Sequence, residues 1–185
     1  MKEYVESDGR KLGPYIEFKP WIVTLQMQAY NSKKFGYDAE WGIDNHFIER
    51  ANFDEKEILE LETMEDQMQL LAKDDKQYQD DLLRHTIDSM SSFESEMRNI
   101  FIYWRNGDVE KLETLLFSDI RKDKVSKSMY EVFFAQRNYK MTRKIMNYLK
   151  TKKTYFVVVG SGHIIGEVGI VNLLKIGGYN TADSY

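Results

Sequence analysis

The chain has 185 residues, enough for one hydrophobic core, and its 42% hydrophobic and 30% charged content is that of an ordinary globular domain. Its formal charge of -4 comes from 26 basic and 30 acidic side chains scattered along the sequence, so no basic field gathers a nucleic-acid backbone and nucleic acid is not an expected partner. Cysteine is absent, which removes disulfides, thiolate metal sites and cysteine nucleophiles together and leaves His, Asp and Glu as the strong metal ligands.

No apolar run approaches the roughly 18–20 residues that a membrane span needs. The opening MKEYVESDGRKLGP carries charges where a signal peptide has an apolar stretch. This chain therefore reads as soluble, with the compartment left open, an exported or envelope-associated parent included.

Only Pro14 and Pro20 interrupt the chain as prolines, which favours helices. The first runs from about Lys19 to Lys34, with Pro20 in its first turn, where a missing N–H is harmless, and Gly36 as its stop. Asp44 reads as the N-cap of a short helix through Phe47, Ile48 and Ala51. Residues 57–62 then read as a strand, and Thr63 with Asp66 loosely fits a capping box that opens a helix carrying Met64, Met68 and Leu71. From Tyr78 to Arg105 the set Leu82, Leu83, Ile87, Met90, Phe93, Met97, Ile100, Phe101 and Trp104 recurs at helical spacing, predicting one long helical stretch. Asn106-Gly107 ends it, and Asp108 caps a helix through Leu112 and Leu115.

Two further helices are expected between Lys124 and Lys150. The pattern then changes: Tyr155-Phe156-Val157-Val158-Val159 is an uninterrupted apolar, β-branched run that reads as a strand buried on both faces. Gly160-Ser161-Gly162 turns the chain, and His163 through Ile176 has helical spacing until Gly177-Gly178. The expected fold is a predominantly helical α/β domain spanning 1–185, with a small and incomplete sheet of strands at about 57–62 and 155–159. Two strands make a poor sheet. A second copy of the chain completing the sheet, as a homo-oligomer, is one resolution.

A strand passing through Gly-x-Gly-His into a helix places His163 at the carboxyl edge of a sheet, where open α/β sheets bind ligands. The imidazole there is either a metal ligand or acid-base group, or a histidine that packs within an ordinary turn. Gly160, Gly162 and Gly166 only brush against a dinucleotide fingerprint, which belongs in an early βαβ unit. Ser161 is no nucleophile elbow, since Gly-x-Ser-x-Gly is absent.

Val159-Gly160-Ser161-Gly162-His163-Ile164-Ile165-Gly166-Glu167-Val168-Gly169-Ile170, followed by Leu173-Leu174 and Gly178-Tyr179, resembles the second Gly-x-x-His motif of the TraB/GumN (Tiki-like) family. Arg137-Asn138 is similar to an Arg-Asn pair of that family. Trp104-Arg105-Asn106-Gly107-Asp108, Leu61-Glu62-Thr63, Gly42-Ile43-Asp44 and Lys19-Pro20-Trp21 also match, so the resemblance covers nearly the whole chain.

The resemblance implies a hydrolase, proposed in several members to be a metal-dependent peptidase, built on two Gly-x-x-His motifs with acidic and arginine residues. It implies catalytic roles for His163, Arg137 and Glu62, with His163 also the metal ligand, and substrate contacts from Gly160, Ser161, Gly162, Asn138 and Glu167. The cofactor it implies is a divalent metal such as Mn, Co or Zn, and the substrate a peptide or small molecule. The first Gly-x-x-His motif of the family belongs to an N-terminal strand-rich segment that does not precede Met1, so the chain matches the C-terminal portion of such a domain. One histidine does not hold a catalytic metal, which takes about three protein ligands.

Each candidate also has a purely structural reading. Arg137 either clamps a substrate carboxylate or oxyanion, or pairs with Glu62 or Asp44. Glu167, four residues after His163, either shares a helix face with it or is a solvated neighbour. Asp44 and His46, two apart on a helix, point in different directions and make a poor metal pair.

Overall fold

The computed structural model describes residues 2–7, 9, 11, 13–73, 75–118 and 124–182. In chain order the helices are α1 (Lys2–Ser7), α2 (Gly13–Ile16), α3 (Pro20–Lys34), α4 (Ile43–Phe53), α5 (Met64–Leu71) and α6 (Lys76–Ser89). Then come α7 (Phe93–Arg105), α8 (Val109–Phe117), α9 (Lys124–Tyr130), α10 (Gln136–Tyr148), α11 (Ser161–Ile164) and α12 (Ile170–Ile176). A 3-10 turn occupies Ala39–Trp41, and a π-helical segment, Glu131–Ala135, joins α9 to α10. The chain divides into two compact units, Met1–Trp41 with Glu65–Arg98, and Gly42–Met64 with Asn99–Tyr185.

In the first unit α3 packs along α6. Proline at the start of α3 fits because its fixed φ is helical, and Gly36, at φ +85°, supplies the left-handed turn that ends the helix region. The core is Val23, Met27 and Met90, with Tyr15, Leu83, Ile87 and Phe93 packed against it. Gln79 is a buried polar tie: its side chain accepts from Trp21 N–H at 3.0 Å and donates to the carbonyls of Leu71 at 2.8 Å and Lys73 at 3.0 Å.

The single helical stretch expected from Tyr78 to Arg105 is broken, α6 ending at Ser89 and α7 starting at Phe93. The hydroxyls of Ser89, Ser91 and Ser92 donate back to carbonyls three residues earlier, at 2.9, 3.3 and 3.1 Å. Serine competes in this way with the helical ladder. The apolar spacing nonetheless survives the break, since Met90 and Phe93 join one core with Leu83 and Ile87.

In the second unit Asp108 caps α8, its carboxylate accepting from Lys111 N–H at 3.3 Å. Asp44 does not play this part in α4: the cap position is Gly42, without a side-chain bond, and Asp44 lies inside the first turn. The two helices expected between Lys124 and Lys150 form one run, with the π turn between α9 and α10. Met141 and Ile145 on α10 bury against Ile170 on α12, flanked by Leu61, Val159 and Leu174.

The expected sheet is not there. Neither 57–62 nor 155–159 forms a strand, and the described residues contain no strand or sheet, so the α/β class gives way to a helical one. A β-branched run is compatible with a strand, but the ladder hydrogen bonds that define one need a neighbour, and neither segment has one here. The run is accordingly not buried on both faces: Phe156 is 74% exposed, Val157 39% and Val158 37%. The single helix expected from His163 to Ile176 is likewise two, because Ile165 is extended and Gly166 takes φ +85°. No helix among the described residues is long and apolar enough to cross a membrane.

Candidate functional site

His163 sits in the short α11, where its backbone N–H donates to the Gly160 carbonyl at 2.9 Å. The residue is buried, 9% exposed. One edge of the ring meets α10, His163 Nδ1 lying 2.6 Å from Asn138 Oδ1, while Asn138 Nδ2 donates to the Val168 carbonyl at 2.9 Å. Phe134, from the π turn, lies against the imidazole with ring centroids 5.4 Å apart. Phe134 in turn stacks on Tyr130 and meets Phe117 edge-on at 5.2 Å, so an aromatic wall closes this side.

This wall explains the glycine before the histidine. A Cβ on Gly162 would stand 2.7 Å from Phe134 Cε1, whereas one on Gly160 would meet only His163 Cδ2, at 3.8 Å. A side chain at position 162 would press on the Phe134 ring, whereas position 160 has room for one.

Arg137 and Glu62 form a bidentate ion pair. Nε donates to Oε1 at 2.8 Å and Oε2 at 3.1 Å, and an Nη2 hydrogen bond reaches Oε2 at 2.6 Å. Nη1 donates to the Phe133 carbonyl at 3.1 Å, in the π turn. Of the two partners considered for Arg137 from the sequence, Glu62 is the one it takes. Burial, then the Arg137 charge, depress the His163 pKa to about 4, opposed by Glu62. At neutral pH the imidazole is uncharged, a weak proton acceptor that keeps a nitrogen lone pair free for a ligand or donor.

His163, Asn138, Arg137 and Glu62 therefore come together on α11, α10 and the segment before α5. Gly160, Ser161 and Gly162 form the turn that carries the histidine. Glu167 does not share a helix face with it, because the chain bends at Ile165 and Gly166; Glu167 is exposed, and its carbonyl accepts from Asn172 Nδ2 at 2.7 Å. Its charge, with those of Glu113 and Glu131, adds to burial in raising the Tyr130 pKa. Asp44 and His46 are both exposed on α4, and the His46 ring packs on Phe47 at 5.4 Å. Exposed His85 belongs to the other unit. Among the described residues no group of three or more His, Asp or Glu is placed to hold a metal ion.

The aromatic wall and the π turn were not foreseen as parts of the site. Phe117, Tyr130 and Phe134 have the helical spacing of ordinary core residues, and a π turn leaves no mark in the spacing of a single sequence.

Residues 1–182 match the model of the TraB/PrgY/gumN family. The chain belongs to that family. Its curated relatives include the uncharacterized protein YbaP of Escherichia coli (strain K12), 27% identical over 158 residues, or 84% of this chain and 56% of the relative. The YbaP protein of Shigella flexneri matches equally, at 27% over 158 residues. The chain thus spans about half the length of these relatives, at 56%. No solved structure matches it. Within this TraB/PrgY/gumN chain, the quartet just described contains the histidine of the Gly-x-x-His turn and the Arg-Asn pair of α10.

Proposed function

We propose that this chain contributes the histidine-bearing half of a metal-assisted hydrolytic site for peptide or ester bonds. The observation that carries the reading is the neutral, buried His163 beside the Glu62–Arg137 pair. Burial and the Arg137 charge hold the imidazole in its metal-binding form rather than as a general base poised near neutral pH.

A divalent cation such as Mn, Co or Zn would polarise a carbonyl and lower the pKa of a bound water. In this chain His163 would hold it, as one neutral nitrogen ligand, and the remaining ligands would come from outside the described residues or from a second copy. Arg137 holds Glu62 in a fixed orientation at the site through its bidentate contact. The aromatic wall of Phe134, Tyr130 and Phe117 excludes water from one side of the imidazole. On this reading the turn of Gly160, Ser161 and Gly162 and the exposed Glu167 would supply substrate contacts, while Asn138, 1% exposed, acts through His163.

A second reading is a non-catalytic peptide-binding or sequestering protein of the same fold. What favours it is the Arg137 fork, which is occupied by Glu62 rather than free for a substrate carboxylate. Titration with Mn, Co or Zn in the presence of a mixed peptide library separates the two. Metal-stimulated cleavage that disappears in His163→Ala supports the hydrolase; tight peptide binding with no turnover under any of the three metals sinks it. A rate per chain that climbs with protein concentration would identify the second copy as the source of the missing ligands.

A further inference from the structure

The hydrogen-bond chain through Asn138 decides something that the position of His163 alone does not, namely which ring nitrogen carries the proton. The Val168 carbonyl can only accept, so the Asn138 atom 2.9 Å from it is the amide nitrogen. The other terminal atom of Asn138 is then its oxygen, which also can only accept. It lies 2.6 Å from His163 Nδ1, so Nδ1 must be the donor. In a neutral imidazole with a proton on Nδ1, Nε2 bears the lone pair, and Nε2 has no hydrogen-bond partner among the described residues.

We infer that Asn138 is a positioning residue, not a substrate contact: it holds the His163 proton on Nδ1 and presents Nε2 as the electron-pair donor of the site. Three features make the assignment rigid. Asn138 is 1% exposed and anchored at its other end by Val168, so the amide cannot turn over without setting two oxygens against each other. The ring is held against Phe134. Turning the ring over would put a carbon where Nδ1 now bonds, losing the contact. Free histidine in water prefers the opposite tautomer, with the proton on Nε2, so the protein inverts the intrinsic preference. A group that orients a ligand histidine through its second nitrogen also raises the quality of the first.

The inference rests on the hydrolase reading only for the use made of Nε2; the tautomer is testable without any activity. The probe is a long-range 1H–15N correlation spectrum of the 15N-labelled full chain at about pH 8, where a histidine is neutral. His46 and His85, both exposed, serve as internal references for the free tautomer mixture, and His163→Gln assigns the third set of signals.

The expected result is a proton-bearing Nδ1 and a pyridine-like Nε2 for His163 alone. A proton on Nε2 of His163 in the folded wild type overturns the inference, and this spectrum decides the matter even if no variant folds. Asn138→Asp keeps an accepting oxygen toward Nδ1 and, although its second oxygen loses the bond to the Val168 carbonyl and lowers stability, should keep the tautomer in the folded protein, whereas Asn138→Leu, similar in shape but without an acceptor, should drift toward the mixture shown by His46 and His85. A folded Asn138→Leu with the wild-type tautomer removes the positioning role. In the peptide assay Asn138→Leu should lower kcat by about 10–100-fold with KM little changed, and Asn138→Asp should restore part of it. Absent hydrolysis with Nδ1 still protonated counts against the hydrolase reading alone; intact hydrolysis with Nε2 protonated counts against this inference alone.

Discussion

Glu62 and Arg137 are 75 positions apart in sequence, yet the carboxylate and guanidinium meet in three hydrogen bonds of 2.6 to 3.1 Å, with the glutamate side chain 8% and the arginine side chain 21% exposed. This pair fastens the segment before α5 to α10, and through the Phe133 carbonyl it also holds the π turn.

Removing one partner strands the other. Glu62→Gln should destabilise the protein by about 3 kcal/mol in urea unfolding, because a largely buried guanidinium loses its counter-charge. The double variant Glu62→Gln with Arg137→Met should cost less than the sum of the single changes. Strict additivity would mean that the two side chains do not act as a pair.

The same charges reach His163. Its folded pKa of about 4 lies below the ordinary value of 6.5, with burial the larger cause and Arg137 the second. Between those two values the unfolded chain binds the proton and the folded chain does not, so stability from this group is fully present above about pH 6.5 and falls as pH drops toward 4. At ~1.4 kcal/mol per pH unit the loss across that window is about 3 kcal/mol. Comparison of the wild type with His163→Gln isolates it: the variant should show a flatter pH dependence. Arg137→Met should raise the His163 pKa, read by NMR titration, and an unchanged value would mean that the guanidinium is not the second cause.

Three glycines should rank by what their missing side chains would meet. Gly169→Ala places a Cβ 2.4 Å from the Ile164 carbonyl oxygen, and backbone cannot yield, so a loss of about 3 kcal/mol or more is expected. Gly162→Ala presses on the Phe134 ring at 2.7 Å, a side chain that can shift, for about 1–2 kcal/mol. Gly160→Ala, with 3.8 Å to the nearest atom, should stay within about 0.5 kcal/mol. Thermal melting of the three variants tests the order, and a Gly160→Ala protein less stable than Gly162→Ala would contradict the packing around His163.

Helix caps give a plainer contrast. Asp75 accepts from Tyr78 N–H at 3.1 Å at the start of α6, so Asp75→Ala should cost about 1 kcal/mol. Asp44 caps nothing, and Asp44→Ala should change the unfolding midpoint by less than half as much. Equal losses would restore Asp44 to the cap.

Much of the helical architecture is legible in the sequence, because starts and stops are local physics. Pro20 opens α3, Gly36 and Gly107 turn the chain at positive φ, Asp108 caps α8, and the apolar spacing of Leu83, Ile87, Met90 and Phe93 marks one buried face. The family was legible too, through the likeness of the Gly160 to His163 turn and of Arg137-Asn138 to its motifs. What the tertiary structure alone decided is everything that needs a distant partner. Tyr155 to Val159 has the side chains of a strand, but a strand exists only with a neighbour to share its hydrogen bonds. Arg137 had two candidate carboxylates, and only the packing of α10 placed Glu62 within its reach. The state of His163 was equally beyond local reading: its neutrality comes from burial and a guanidinium, and its proton is placed by Asn138, 25 residues earlier in the chain.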